Sequence, residues 1–496
     1  MPDSLQPGLA AAAARTAVEA AARSLGWDDV EGLNGAPSSS THPLGADPTL
    51  AEAAEAVALG AVTSEQLTRA CLDAIARDNA RTSWFVRVAE EQALERARAC
   101  DLARRAGAAL GPLHGVPLAH KDMFARAGEL MECGSRILAG YRPARTSTLL
   151  QRLDAAGAVT LGALHMAEFA LSPVGDNAHL GARPNPWHPA HVTGGSSSGS
   201  GAAVAARQVF GALGSDTGGS VRLPAACCGV TGLKPTQGLV PMDGVMPLAP
   251  SLDCAGFLAR TAEDCARLLA VATRQPAAGP DTDGGAVAVP HFDADIPLTD
   301  ELRAGVARAA EMLREAGFRL RRVKLPELGV AGQIGTLVLG AEAASVHGRW
   351  LRTREAEYGA LVHRRIARGL AYAANEYVDA LRLRPSLCAA FLREHLAGAD
   401  ALLLPTLPEP VPTIAETTCG DLEAIEARIG RFSYWTRAIN LLGLPALALP
   451  AGFTASGLPM GVQLVGPPGS DAALCRIGQR FQRASDWHRR RPRAGT

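Results

Sequence analysis

Beyond about Arg105 the chain alternates short apolar runs with stretches of helical periodicity. GVPLAH leads into Lys121, AVTLGAL surrounds Val159, AVAVP surrounds Val287, ALLLP surrounds Leu403, ALALP surrounds Leu447 and GVQLVG surrounds Val462. Runs of this length, bounded by glycine, proline or polar residues, are strand signals. Strands separated by helices predict an α/β fold whose mostly buried central sheet is covered by helices on both faces.

The part before Arg105 reads as helix pairs. Thr49-Leu50-Ala51-Glu52 and Thr63-Ser64-Glu65-Gln66 fit capping boxes, and each opens a run with apolar residues at three and four spacing. Ahead of them lie an alanine-rich helical stretch, about Pro7 to Leu25, and the polar segment GAPSSSTHPLGADP, which reads as a linker. Residues 1–48 are thus expected to form an N-terminal helical extension and linker, and residues 49–492 the main body. The Pro-, Gly- and Asp-rich segment from Thr273 to Gly285 reads as a surface loop or a subdomain boundary.

With 47% hydrophobic and 20% charged positions among 496 residues, the chain can bury one extended core or several smaller ones. Lys plus Arg and Asp plus Glu each number 49, so the net charge is zero and nothing global favours nucleic acid or an anionic membrane. The dense basic run from Arg489 to Arg493 reads as a solvated tail. Arg15, Glu19 and Arg23 interrupt the stretch where a signal peptide needs an apolar run, and no window reaches about eighteen uninterrupted apolar residues. A cytoplasmic protein without a membrane span is the expectation. The 10 cysteines show neither CxxC nor the Cys/His spacing of zinc sites, so no disulfide framework and no metal is expected. Cys227-Cys228 is expected to be buried behind a glycine loop.

Two such loops carry the candidate chemistry. In Gly194-Gly195-Ser196-Ser197-Ser198-Gly199 the glycines fit a flexible linker or a phosphate cradle, but no Lys-Ser/Thr follows them. Gly195 to Gly199 also matches the GxSxG elbow formally, yet the preceding NPWHPAHVTGG is a loop rather than the strand an elbow needs. In Asp216-Thr217-Gly218-Gly219-Ser220-Val221-Arg222 two glycines precede a serine, a geometry able to hold an oxyanion on backbone N–H groups, with Asp216 and Arg222 able to pair across the loop. Lys121 ends a run expected to be a buried strand, where loss of hydration lowers an amine's pKa and can make it a neutral base; read without the serine loops it is a surface lysine. His114, His120, His165 and His191 lie near these motifs without the partners that mark a catalytic base, although sequence alone leaves a Ser-His-Asp site open.

Together these pieces resemble the amidase signature family. The resemblance runs through Gly194 to Gly199, Gly201-Ala202, Val204-Ala205, Ala212, Gly214, Asp216, Gly218, Ser220-Val221-Arg222 and Pro224-Ala225, and extends to GVPLAHKD, Asn185-Pro186-Trp187, Gly232-Leu233-Lys234-Pro235-Thr236 and GLPMGVQLVG. It covers about Pro48 to Pro492, and implies a mixed sheet and a Ser–Ser–Lys triad. In that triad Ser220 is the nucleophile, Ser196 the bridging serine after a cis peptide at Gly195–Ser196, and Lys121 the base. The backbone N–H groups of Thr217, Gly218, Gly219 and Ser220 would hold the oxyanion, with Asp216, Arg222, Ser197 and Gly195 as support. No cofactor is implied.

The family's acyl pocket maps to Ala170-Leu171 and Met123-Phe124, whose apolar character points to an aliphatic or aryl acyl group. Gln237 and Phe257 depart from common family residues. The expected function is amidohydrolysis of a small-molecule amide, anilide or carbamate. The alternative is the glutaminase subunit of a tRNA-dependent amidotransferase, against which stands Met123, where relatives of that type usually have Asn. A non-catalytic binding module ranks last. A homodimer formed through the arm is one expected assembly.

Overall fold

The computed structural model describes residues 47–276, 284–292 and 296–492. The expected N-terminal helix and the middle of the Thr273–Gly285 segment lie outside them. Among the described residues one mixed sheet contains β1 (Phe85–Val88), β2 (Pro117–Lys121), β3 (Val159–Leu164), β4 (Gly211–Asp216), β5 (Thr231–Lys234), β6 (Cys254–Ala259), β7 (Ala286–Pro290), β8 (Arg319–Val323), β9 (Ala401–Pro405), β10 (Ala446–Phe453) and β11 (Pro459–Val465). Their order is β1-β3-β2-β4-β6-β5-β10-β11-β9-β7-β8. Strand β2 runs parallel to both β3 and β4, whereas β4 to β11 pair antiparallel through β6, β5 and β10.

All six expected strands are present. Five others, β1, β4, β5, β6 and β8, gave no strand signal. Strands β4, β5 and β6 are wholly buried yet rich in glycine, because neighbours pass too close for a side chain. A Cβ on Gly214 would stand 2.8 Å from Ser197 Oγ, one on Gly232 2.6 Å from Ala225 Cβ, and one on Gly256 2.5 Å from Leu233 O. Strand β8 (RLRRV) hides behind its charges, which suit a sheet edge because they discourage pairing with another chain. Strand β1 interrupts the expected run of helices at the opposite edge.

Helices flank the sheet. Ser198–Ala205 and Arg222–Cys228 pack together, the latter over β5, β10 and β11. A second pair, Ala262–Thr273 and Asp471–Arg483, covers β5, β6 and β10. Thr49 and Thr63 form the expected capping boxes with Glu52 and Gln66. The basic tail is less free than expected: Arg491 donates to Asp47 at 2.8 Å and Arg490 lies over the Phe453 ring. Helix Leu328–Thr353 is long and apolar enough to cross a membrane by length and composition, but packs against helices Tyr434–Leu442, Ala360–Ala367 and Ala374–Phe391.

Candidate active site

Strand β2, held between β3 and β4, carries Lys121 at its C-terminal end, and every residue of the strand is buried. Its neighbour β4 ends at Asp216 and turns directly into the second glycine loop and helix Arg222–Cys228. The first glycine loop enters helix Ser198–Ala205, all eight of whose residues are buried. Glycine is required there: a Cβ on Gly195 would stand 2.5 Å from both Gly175 N and Ser172 O. The peptide bond Gly195–Ser196 is cis, as the resemblance implies.

Lys121 Nζ lies 2.7 Å from Ser196 Oγ and 2.8 Å from Ser215 Oγ. Lys121 and Ser196 are 0% exposed, while Ser220 reaches the surface at 8%. Burial pulls the Lys121 ammonium down to about 7, against the opposing charges of Asp253 and Asp216. Ser215, to which the sequence motifs assign no role, is therefore part of the constellation; its place immediately before Asp216 was the available signal. The Lys121–Ser196 half of the expected relay is hydrogen-bonded, whereas Ser220 Oγ has no hydrogen-bond partner among the described residues. Catalytic hydrogen bonds are often open before a substrate arrives. Ser197 N–H donates to Ser220 O at 3.3 Å and Ser215 N–H to Ser197 Oγ at 3.3 Å, so Ser197 joins the two loops as a support.

The second glycine loop is fixed by the expected ion pair. Arg222 donates to both Asp216 oxygens at 3.0 Å, with both side chains fully buried, and also to Gln463 at 2.8 Å, Asn440 at 2.6 Å and Thr436 O at 3.0 Å. Burial opposes ionisation of Asp216, but Arg222, Lys234 and Asn440 hold its carboxyl well below the usual carboxylate range. One expectation changes. The Gly219 N–H, expected in the oxyanion set, donates to Asp216 Oδ1 at 2.8 Å because the clamped carboxylate sits beneath the turn. The N–H groups of Thr217, Gly218 and Ser220 have no acceptor among the described residues. Thr217 Oγ1 donates to Asp253 at 2.5 Å, and burial raises that carboxyl to about 6.

The expected acyl-wall residues Met123, Phe124, Ala170 and Leu171 are all buried. Met123 follows Lys121 in a tight turn, its N–H donating to Lys121 O at 2.7 Å. Phe124 packs edge-on to His120 and bridges Val245, which turns it into the core. Leu171 O accepts from Arg365 at 2.8 Å. The departure Gln237 bonds Arg384 and Ser251, and Phe257 is a core residue of β6.

The histidines keep to structural roles. His120 bonds Lys121 O at 3.1 Å and His165 bonds Ser198 Oγ at 2.8 Å, and burial pulls both down to about 3. His114 bonds Cys100 O at 2.9 Å and His191 bonds Val411 O at 2.7 Å. Cys227 and Cys228 are buried behind both loops, Cys228 Sγ lying 3.3 Å from Thr193 O. Among the described residues no group of three or more His, Cys, Asp or Glu is gathered as a metal site.

A family model described as Amidase matches residues 66–475. A glutamyl-tRNA(Gln) amidotransferase subunit of Aromatoleum aromaticum is 38% identical over 475 residues, covering 87% of this chain and 96% of that protein. A crystal structure of an amidase superposes with a TM-score of 0.81 at 32% identity, covering 88% of this chain and 99% of that one. The solved glutamyl-tRNA(Gln) amidotransferase subunit of Thermotoga maritima gives a TM-score of 0.73 at 29% identity, covering 90% and 97%.

Proposed function

The chain belongs to the amidase family, and on that premise we propose that it hydrolyses a carboxamide C–N bond through an acyl-enzyme on Ser220. The observation that carries this reading is the buried Lys121 amine, 2.7 Å from Ser196 Oγ and held near neutrality at about 7. A serine hydroxyl attacks a carbonyl only as it loses its proton. Ser220 Oγ forms the new C–O bond while its proton passes to Ser196, whose own proton passes to Lys121. The carbonyl electron pair moves to oxygen, and the N–H groups of Thr217, Gly218 and Ser220 donate hydrogen bonds to the resulting oxyanion. Losing one such donor costs about 2.7–4 kcal/mol of transition-state stabilisation. Collapse breaks the C–N bond, and the leaving nitrogen takes a proton from Ser196, replenished by Lys121. Water then repeats the sequence on the ester, releasing the carboxylic acid and restoring Ser220.

Two settings fit this chemistry. A free amidohydrolase for small amides is supported by likeness to the solved amidase. A glutaminase that releases ammonia to a partner protein has the stronger support, because relatives 36–38% identical over 87–90% of this chain carry the name of a glutamyl-tRNA(Gln) amidotransferase subunit. Assaying ammonia from glutamine beside a panel of primary amides, anilides and carbamates, for the chain alone, separates them. Turnover confined to glutamine supports the glutaminase setting, and turnover of simple amides with glutamine inert supports the free enzyme. Inertness toward the whole panel contradicts amide hydrolysis.

A further inference from the structure

Helix Tyr434–Leu442 lies against the nucleophile loop. Thr436 Oγ1 donates to Gly218 O at 2.7 Å. The stem of the next residue, Arg437, threads between two glycines: its Cγ is 3.8 Å from the place of a Cβ on Gly218 and 3.7 Å from that on Gly335. The half-buried guanidinium donates to Thr336 Oγ1 at 2.8 Å, to Gly430 O at 3.1 Å and to Ser433 Oγ. All three acceptors are neutral, and no carboxylate among the described residues comes within ion-pair distance. A second half-buried guanidinium, Arg365, repels it. Arg365 donates to Leu171 O at 2.8 Å, and Glu426 and Asp176 act on it only from beyond ion-pair distance. Burial pulls Arg437 down to about 10, and the Arg365 charge adds to the effect.

Two like charges withdrawn from water with no carboxylate in contact are costly, and an anion brought against both relieves the penalties. Arg365 reaches Leu171, expected in the acyl wall, and the stem of Arg437 passes Gly218 beside the expected oxyanion donors. We propose that Arg437, with Arg365 beside it, binds a carboxylate on the substrate, so that the amide cleaved at Ser220 belongs to an anionic molecule. The proposal rests on the Ser220 reading above. Guanidinium suits the role because its planar fork matches a carboxylate and it keeps its charge when partly buried.

The test compares kcat/KM of the full chain for glutaramate and for valeramide, amides of equal length that differ in the distal carboxylate. Glutamine is a third substrate, and fluorophosphonate labelling of Ser220 is measured in parallel. The expected result is a preference for glutaramate over valeramide of at least about 30-fold, and a fall in that ratio of at least about 30-fold in Arg437→Gln. Arg437→Lys, which keeps a point charge, loses less. Arg437-dependent cleavage of glutamine, or of glutaramate, supports the proposal and assigns the carboxylate to an amino acid or a simple acid amide. In case Arg437→Gln does not fold, inhibition of the wild-type protein serves: glutarate competes at least about 30-fold more tightly than neutral 1,5-pentanediol. Equal use of glutaramate and valeramide, an unchanged ratio in Arg437→Gln, or equal competition overturns the proposal. If Ser220 labels normally without any charge preference, this inference alone falls; if Ser220 does not label, both readings fall.

Discussion

Lys121 Nζ stands 2.7 Å from Ser196 Oγ at the buried end of β2, with Ser215 Oγ 2.8 Å away on β4. Burial holds this amine at about 7, so it is neutral above that pH and protonated below it. The base works only when neutral, so kcat/KM is expected to fall about tenfold per unit below roughly pH 7. Lys121→Ala should abolish turnover unless the pH is raised strongly. A flat rate profile across that range, or neutral-pH activity in the variant, contradicts Lys121 as base.

The same depressed value acts on stability. Between about 7 and the ordinary lysine value of 10.5 the unfolded chain holds a proton that the folded protein does not. The folded state therefore gains stability as pH rises through this window, and loses it as pH falls toward 7. Urea unfolding at several pH values should show that rise in the wild type and a smaller one in Lys121→Met.

Ser215→Ala removes one of the two hydroxyls that hold the Lys121 amine. Its loss should lower kcat about tenfold with KM little changed. It should also move the acid limb of the rate profile to lower pH, because the ammonium loses an acceptor. An unshifted limb would mean that Ser215 only fills space.

Removing Arg222 leaves the Asp216 carboxylate buried beneath the nucleophile loop without its main counter-charge. Arg222→Gln is expected to cost about 3–5 kcal/mol in urea unfolding. Arg222 holds the Asp216 carboxyl below its ordinary 3.8, so this contribution is complete above that value and is lost only as pH falls through the folded one. A loss under about 1 kcal/mol would show that Asn440 and the Gly219 and Val221 N–H groups suffice to hold the Asp216 carboxylate.

The two glycines before Ser220 are not equivalent. Gly219 has φ of 128°, and a Cβ there would stand 2.2 Å from Thr436 Oγ1, whereas one on Gly218 would meet nothing nearer than Arg437 Cγ at 3.8 Å. Gly219→Ala should therefore slow fluorophosphonate labelling of Ser220 far more than Gly218→Ala. Equal effects would contradict the crowding of the turn by the Tyr434–Leu442 helix.

That the two glycine loops and Lys121 come together was legible in the sequence because the expected acyl transfer restricts residue type: a lysine at the end of an apolar run, and serines among glycines. The architecture was legible where strands were apolar, as in ALLLP and ALALP. It was hidden in β4, β5 and β6, whose glycines answer to close approach by neighbouring segments rather than to strand propensity. Long-range partners were also hidden. Asn440 and Gln463 reach Arg222 from more than 200 positions away in sequence, and nothing local marks them. The Gly219 N–H looked free because the loop's own sequence does not reveal that Asp216 folds back beneath it.

The central claim, a covalent acyl-enzyme on Ser220, is tested most directly by intact-protein and peptide mass spectrometry after reaction with a fluorophosphonate. A single adduct on the peptide carrying Ser220, absent from Ser220→Ala together with all amide turnover, is the predicted result. An adduct on another residue, or turnover retained in Ser220→Ala, would contradict it.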